Sequence, residues 1–351
     1  MLIKEGLTFD DVLLVPRHSE ITSRSLVSTM VSLPKIGTIS HPIIPANMKT
    51  IIDYEMAEAV YNSRGLGILH RFMPLEDQIA ILKRLQHNYN EYVWDYIGFS
   101  VGVKPEDTKN VDELVKAGAK ILCIDIAHGD SDLCFKMCEY IKYHHPLVLL
   151  IAGNVATGKA AADLWYAGAD IVKVGVGPGS LCTTRIETGN GVPQLTALIE
   201  AAEAKEEVES HFLRTSSSGN ENKRCLIISD GGIKNTGDIV KALCFADLVM
   251  IGNMFAGCEE TPGETLTIDG RKYKEYVGSS THKANHIEGV AAIVLAKGSF
   301  KVILTKMLEG TKSGMSYQGV SNLTDLKKNP QFVRITHAGL IESHPHNVKI
   351  L

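Results

Sequence analysis

What this chain lacks narrows its function before any motif is read. No apolar run in the 351 residues approaches the roughly 18 residues that a membrane span needs; HPLVLLIAGNV, from His145 to Val155, stops well short. Charge of one sign is also lacking. With 36 Lys and Arg against 40 Asp and Glu, the net charge of -4 offers no basic footprint for nucleic acid or an acidic membrane, so neither is an expected partner. The start, MLIKEGLTFDD, has neither a basic beginning nor an apolar core followed by a small-residue cleavage site, and a cytoplasmic location is expected. The seven cysteines are odd in number and contain no CxxC. Cys134 and Cys138 stand four apart in a helix-like stretch with no candidate histidine ligand beside them, which argues against a structural metal site. Six cysteines read as small buried hydrophobes, and Cys182 stands apart.

What the chain does have is repeated alternation. Short segments rich in Ile, Val and Leu recur with helix-like stretches between them, the βα pattern of a parallel sheet. They span residues 43–48, 66–71, 97–103, 121–127, 147–155, 171–177, 225–232 and 248–253, eight in all. Eight βα units predict a closed (β/α)8 TIM barrel of the α/β class, filling residues 1–351 as a single domain. Two stretches depart from the pattern. Residues 205–224 are polar and rich in Ser, Gly and Asn, which predicts an exposed excursion before the seventh strand. Residues 258–351 read as a flap and tail, in which the DG of TIDGRKYKEYVGSS predicts a hairpin turn.

A barrel presents its chemistry at the C-terminal ends of its strands, so those ends hold the candidate site residues. The sixth runs into VGVGPGSLCTTRIETG, residues 174–189. This is no Rossmann fingerprint, because it follows the sixth strand, reads GxGxG and continues into a polar run with no helical period before PQLTALIEAAEA. One reading is a tight turn with Cys182 as a small buried residue; the other is a loop that aims a thiolate at electron-poor carbon, with Gly179 and Ser180 beside an anion. ISDGGIKNTGDI and VMIGNMFAG end the seventh and eighth strands, where loop amides and helix N-termini often bind phosphate. Asp230 could accept from ribose hydroxyls there, or serve a turn. Asp125 ends an apolar strand, where a carboxylate needs a partner: a structural ion pair or a ligand amide. Asn154, His70 and His128 are comparably ambiguous. Together these features suggest a nucleoside monophosphate with its base toward Cys182.

TFDDVLLVP (8–16), PANM (45–48), IDIAHG, IAGNV, KVGVGPGSLCTTRIETGNGVPQ, SDGGI and VMIGNMFAGCEE together resemble the IMP dehydrogenase and GMP reductase superfamily, in order along nearly the whole chain. The resemblance implies a barrel enzyme acting at C2 of a purine nucleotide, with Cys182 forming a covalent adduct and a nicotinamide cofactor exchanging hydride. It implies that Ser180, Gly232, Gly252 and Asn253 hold the phosphate, Asp230 the ribose and Met48 the nucleotide, with Gly231, Gly278, Ser279 and Ser280 also binding the substrate. Asp125 and Asn154 would lie on the nicotinamide side, and Ala127 and His128 would also bind the cofactor. Carbonyls of Gly175, Gly177 and Cys182 would hold a monovalent cation such as K+, and the family implies a homotetramer. Asn253 departs from the Gly or Ser common at that position.

Three features point to the reductase branch. Only 27 positions separate His70 from Ile97, so the paired CBS modules that dehydrogenases usually carry are absent. Between GSS (278–280) and IEG (287–289) the chain reads THKANH, without the Arg-Tyr pair that activates water in dehydrogenases. PANMKTIID, HRF and YKEYVGSS are similar to bacterial GMP reductases. The tail FVRITHAGLIESHPHNV instead resembles dehydrogenases. The expectation is reductive deamination of GMP to IMP and ammonia by NADPH, with Cys182 as nucleophile and Thr184 and Glu288 handling the amino group's proton. An IMP dehydrogenase lacking CBS modules is the alternative, and a noncatalytic nucleotide-binding protein a distant third.

Overall fold

The computed structural model describes residues 3–215, 224–278 and 289–349. All eight expected strands are present, each somewhat shorter than expected: β1 (Ile43–Pro45), β2 (Gly67–Leu69), β3 (Ile97–Val101), β4 (Ile121–Asp125), β5 (Leu149–Val155), β6 (Ile171–Val174), β7 (Leu226–Asp230) and β8 (Leu248–Ile251). They form one parallel sheet in the order β1-β8-β7-β6-β5-β4-β3-β2. β1 and β2 adjoin at the seam, which makes the sheet a nearly closed TIM barrel. Because helices cover it outside and side chains fill it inside, both faces are largely buried and the strands are mostly apolar, with polar residues concentrated toward their C-terminal ends.

The helices form for local reasons. α5 (Gly158–Tyr166) starts where the Thr157 hydroxyl accepts from Ala160 N, and α8 (Thr236–Leu243) where Asn235 Oδ1 accepts from Asp238 N. Buried apolar residues on one stripe then fix each helix to the sheet. Two sequence expectations change here. Residues 205–215 are no excursion but the second half of α7 (Gln194–Thr215); Leu195, Leu198, Ala201 and Val208 anchor it, and its polar outer face masked the helical period. Residues 216–223 lie outside the described part. The expected tail likewise contains α9 (Phe300–Tyr317), which packs between α8 and α1 (Tyr54–Asn62) and completes the outer ring. It is a barrel element, not an appendage.

The DG hairpin is present. Ile268 pairs with Arg271, and Asp269 and Gly270 take φ values of 48° and 72°, the two left-handed positions of a type I′ turn. It joins β9 (Thr265–Ile268) to β10 (Arg271–Val277), and β11 (Ala291–Leu295) completes a three-stranded antiparallel sheet. Tyr276 and Val277 of β10 are buried against the barrel rim. Among the described residues, no helix is long and apolar enough to cross a membrane.

Candidate active site

At the C-terminal end of the barrel lies a cavity of about 520 Å³ lined by strand ends and the loops after them. The loop after β6 supplies its reactive group. Gly175 leaves the strand with φ 153°, and a Cβ there would stand 2.0 Å from the Asp230 carbonyl oxygen, so only glycine lets the chain turn between β6 and β7. A turn closed by Cys182 N donating to Gly179 O at 3.1 Å then presents Cys182. Its thiol donates to Thr184 Oγ1 at 3.0 Å. The other six cysteines are buried, whereas Cys182 is half-buried and lines the cavity. The expected polar run after it contains a short helix, α6 (Thr184–Thr188), too brief to show a period in sequence.

The barrel floor beneath Cys182 carries a charge cluster that sequence reading only half found. Lys173 points inward from β6 at 1% exposure; its Nζ donates to Asp125 Oδ1 at 2.6 Å and lies 3.8 Å from Asp230 Oδ2. Asn154 Nδ2 donates to Asp230 Oδ2 at 2.8 Å and to Gly175 O at 2.9 Å. Asp125 is therefore in an ion pair and at the cavity wall at once. Burial works to raise the Asp125 pKa, but the Lys173 ammonium and hydrogen bonds from Lys173 and Asn47 outweigh it, so the carboxyl sits below its usual range. Asp230 goes the other way: burial raises it, and the nearby Asp125 charge adds to that, against the opposing pull of Lys173 and Asn154. Lys173 is held charged; burial opposes this, and the two carboxylates overcome it. A lone lysine in the apolar run IVKV was the overlooked signal, since a buried ammonium demands an acidic partner.

The structure brings Met48, Ser180, Cys182, Thr184, Asp230 and Gly278 onto one cavity wall with Asp125, Ala127 and Asn154. Gly231, Gly232, Gly252 and Asn253 do not line it directly. Gly252 adjoins it, because a Cβ there would meet Tyr276 Oη at 2.6 Å and Met48 Sδ at 3.5 Å; one on Gly231 would meet Gly179 N at 3.2 Å. The Asn253 carbonyl accepts from Lys297 Nζ at 2.6 Å. His128 is exposed outside the lining. His70 is buried, accepts from Phe72 N at 3.1 Å, and burial holds its pKa down at about 4. Ser279, Ser280 and Glu288 lie outside the described residues.

Sequence reading missed Tyr276, whose hydroxyl lies 3.1 Å from Ser180 Oγ and whose pKa burial raises, and Phe72, which takes Arg71 over its ring at 4.7 Å. Arg71 Nε also donates to Asp125 O at 2.9 Å. It missed as well the stitching of the segment after Gly278 to the cysteine loop. Gly289 N donates to Thr183 Oγ1 at 2.8 Å and Val290 N to Leu181 O at 3.2 Å. Glu288 is thus bonded in sequence to a glycine fixed one residue from Cys182, a contact no local pattern encodes.

Residues 6–346 match the family model described as the IMP dehydrogenase / GMP reductase domain. The chain is 35% identical to inosine-5'-monophosphate dehydrogenase of Borreliella burgdorferi, covering 99% of this chain and 98% of that one. It is 30% identical to a GMP reductase of Leishmania donovani, with 99% and 98% covered. A crystal structure of a cysteine-to-alanine variant of GMP reductase from Trypanosoma brucei, in complex with guanosine 5'-monophosphate, superposes with a TM-score of 0.86 at 30% identity over 99% of both chains. The two sequence alignments run over 412 and 499 positions against 351 residues here. Relatives bearing either name are therefore longer, so the short β2–β3 connection does not by itself separate the two activities.

Proposed function

The chain belongs to the IMP dehydrogenase / GMP reductase family, oxidoreductases of purine nucleotides that use nicotinamide cofactors, and on that premise we propose that it is a GMP reductase. It converts GMP and NADPH to IMP, ammonia and NADP+. The observation that carries this reading is the Cys182–Thr184 pair, thiol on hydroxyl at 3.0 Å, in a cavity whose two flanks hold different carboxylates.

Purine C2 lies between two ring nitrogens and is electrophilic, which suits attack by the Cys182 thiolate. The amino group on C2 must be protonated to leave as ammonia, and the bond it breaks is replaced by the C2–sulfur bond. Thr184, already holding the thiol hydrogen, and Glu288, next to the fixed Gly289, are the groups we assign to that proton. NADPH, when bound, supplies the hydride that C2 takes up; expulsion of the thiolate then leaves IMP. Asp230 accepts from the ribose hydroxyls. Ser180 and Tyr276, with the backbone of Gly231, Gly232, Gly252 and Asn253, form the phosphate side, Met48 and Gly278 the remaining wall, and Ser279 and Ser280 are assigned to the nucleotide from the family resemblance alone. Asp125, Ala127 and Asn154 face the nicotinamide, and His128, outside the cavity lining, is assigned to the outer part of the cofactor. The residues fit that cofactor, because Cys182, Asp125, Arg71 and Phe72 all line the same cavity of about 520 Å³.

The interval THKANH, residues 281–286, supports reductase over dehydrogenase, since it has no Arg-Tyr pair to activate water. IMP dehydrogenation with NAD+ is the second reading, favoured by the tail FVRITHAGLIESHPHNV and by dehydrogenase-named relatives. Purified protein should oxidise NADPH in the presence of GMP with one ammonia released per turnover. NAD+ reduction with IMP, and no NADPH oxidation with GMP, would overturn the assignment. The Gly175, Gly177 and Cys182 carbonyls remain our proposed seat for a monovalent cation, tested by rates in K+ and in a bulky organic cation. A cytoplasmic homotetramer is the proposed assembly, tested by light scattering.

A further inference from the structure

The loop that carries Cys182, residues 175–193 between β6 and α7, contains no strand of its own, so something else must hold its shape. Arg185 does much of this. It follows Thr184 on α6, and its guanidinium donates from Nε and Nη2 to Val176 O at 3.3 Å each and from Nη2 to Val192 O at 2.5 Å. One carbonyl belongs to the chain leaving the barrel, the other to the chain returning to it. Two glycines make room for the side chain. Gly177, at φ 84°, and Gly191, at φ 155°, both face its stem, and a Cβ on either would stand 2.5–2.7 Å from Arg185 Cγ. Arg185 is threaded between them as a cross-brace.

Arg185 does not line the cavity, so a direct contact with nucleotide or cofactor is not what it offers. Its reach is through its neighbour in sequence: Thr184 receives the Cys182 thiol hydrogen. We propose that Arg185 is a positioning residue, which fixes the Cys182–Thr184 pair by tying the two ends of the loop together through a planar guanidinium. A lysine ammonium is a point donor and does not span two carbonyls in one fixed plane. Misplacing a reacting group by about 1 Å costs on the order of 10²-fold in rate, whereas Asp230 and Tyr276 sit on β7 and β10, outside this loop, and keep their places. Ser180 shares the loop, but its Oγ lies 3.1 Å from the Tyr276 hydroxyl. The effect should therefore fall on kcat and leave KM alone.

This inference rests on Cys182 being the nucleophile. In the full-length protein, Arg185→Met should lower kcat about 10- to 100-fold, with KM for GMP and the thermal midpoint nearly unchanged. Arg185→Lys should recover little, and guanidinium chloride at low millimolar concentration should partly restore Arg185→Ala. Independently of turnover, the alkylation rate of Cys182 by iodoacetamide should change in Arg185→Met, because the other six thiols are buried and contribute little signal. Gly191→Ala, which blocks the passage, should reproduce the kcat defect. An Arg185→Met enzyme with unchanged kcat and alkylation rate overturns the brace, as does a loss that tracks only a falling folded fraction. The two readings fail separately: turnover by Cys182→Ala sinks covalent catalysis, while an inactive Cys182→Ala beside a fully active Arg185→Met sinks only the brace.

Discussion

At the scale of single residues, the site is decided by two side chains in unlike surroundings. Cys182 is the half-buried thiol, and under the proposed chemistry no other group can replace its bond to C2. Cys182→Ala should reduce turnover at least about 10³-fold while GMP still binds, as isothermal titration would show. Lys173 is the opposite case, a buried cation shared by two acids. Lys173→Met should destabilise the fold by about 3–5 kcal/mol, because Asp125 and Asp230 would be left as close, half-buried like charges without their shared cation. Adding Asn at Asp125 removes one of those charges, so the double variant should regain part of the loss in urea denaturation. Equal midpoints for single and double variants would show that the ion pair is not what holds the floor together.

At the scale of elements, caps and turns place the working loops. α8 opens just after the Asp230-Gly231-Gly232 turn, and its first turn is held by Asn235. Asn235→Ala should lower stability by about 1 kcal/mol, read from the denaturation midpoint. If the amides at that turn bind phosphate, KM for GMP should rise in the same variant with kcat little changed. The sequence showed this helix plainly, since a side-chain cap and an apolar stripe are local signals. It did not show α6, which is shorter than two turns, nor the second half of α7, whose outward face is mostly polar and charged.

At the scale of the whole molecule, buried histidines couple folding to pH. Burial holds His41 and His70 down at about 4, against the ordinary 6.5. Between those values the unfolded chain binds protons that the native state refuses, so stability rises with pH there. It should accordingly be lost as pH falls from about 6.5 to 4, by up to about 3 kcal/mol for each histidine. Urea midpoints at pH 7, 5.5 and 4.5 check this, and His41→Asn should flatten the profile. Asp247 acts lower down: burial opposes its charge, but Lys327 and Lys205 prevail and hold it at about 2. Its contribution is complete above its usual 3.8 and disappears only as pH falls toward 2.

The sequence alone determined the barrel, the eight strands, the loop with Cys182 and the resemblance to a purine-nucleotide oxidoreductase family. These are local properties, written as apolar runs, breaker residues and contiguous motifs, and local physics reads them in place. Only the tertiary structure decided which of those residues meet. Lys173 reaches Asp125 across 48 positions, Tyr276 reaches Ser180 across 96, and Gly289 reaches Thr183 across 106. Closing the barrel brings such positions together, because each strand ends at the same rim however far apart the strands lie in the chain. A short loop can carry the thiol, but its setting is supplied by residues that only the closed sheet makes neighbours.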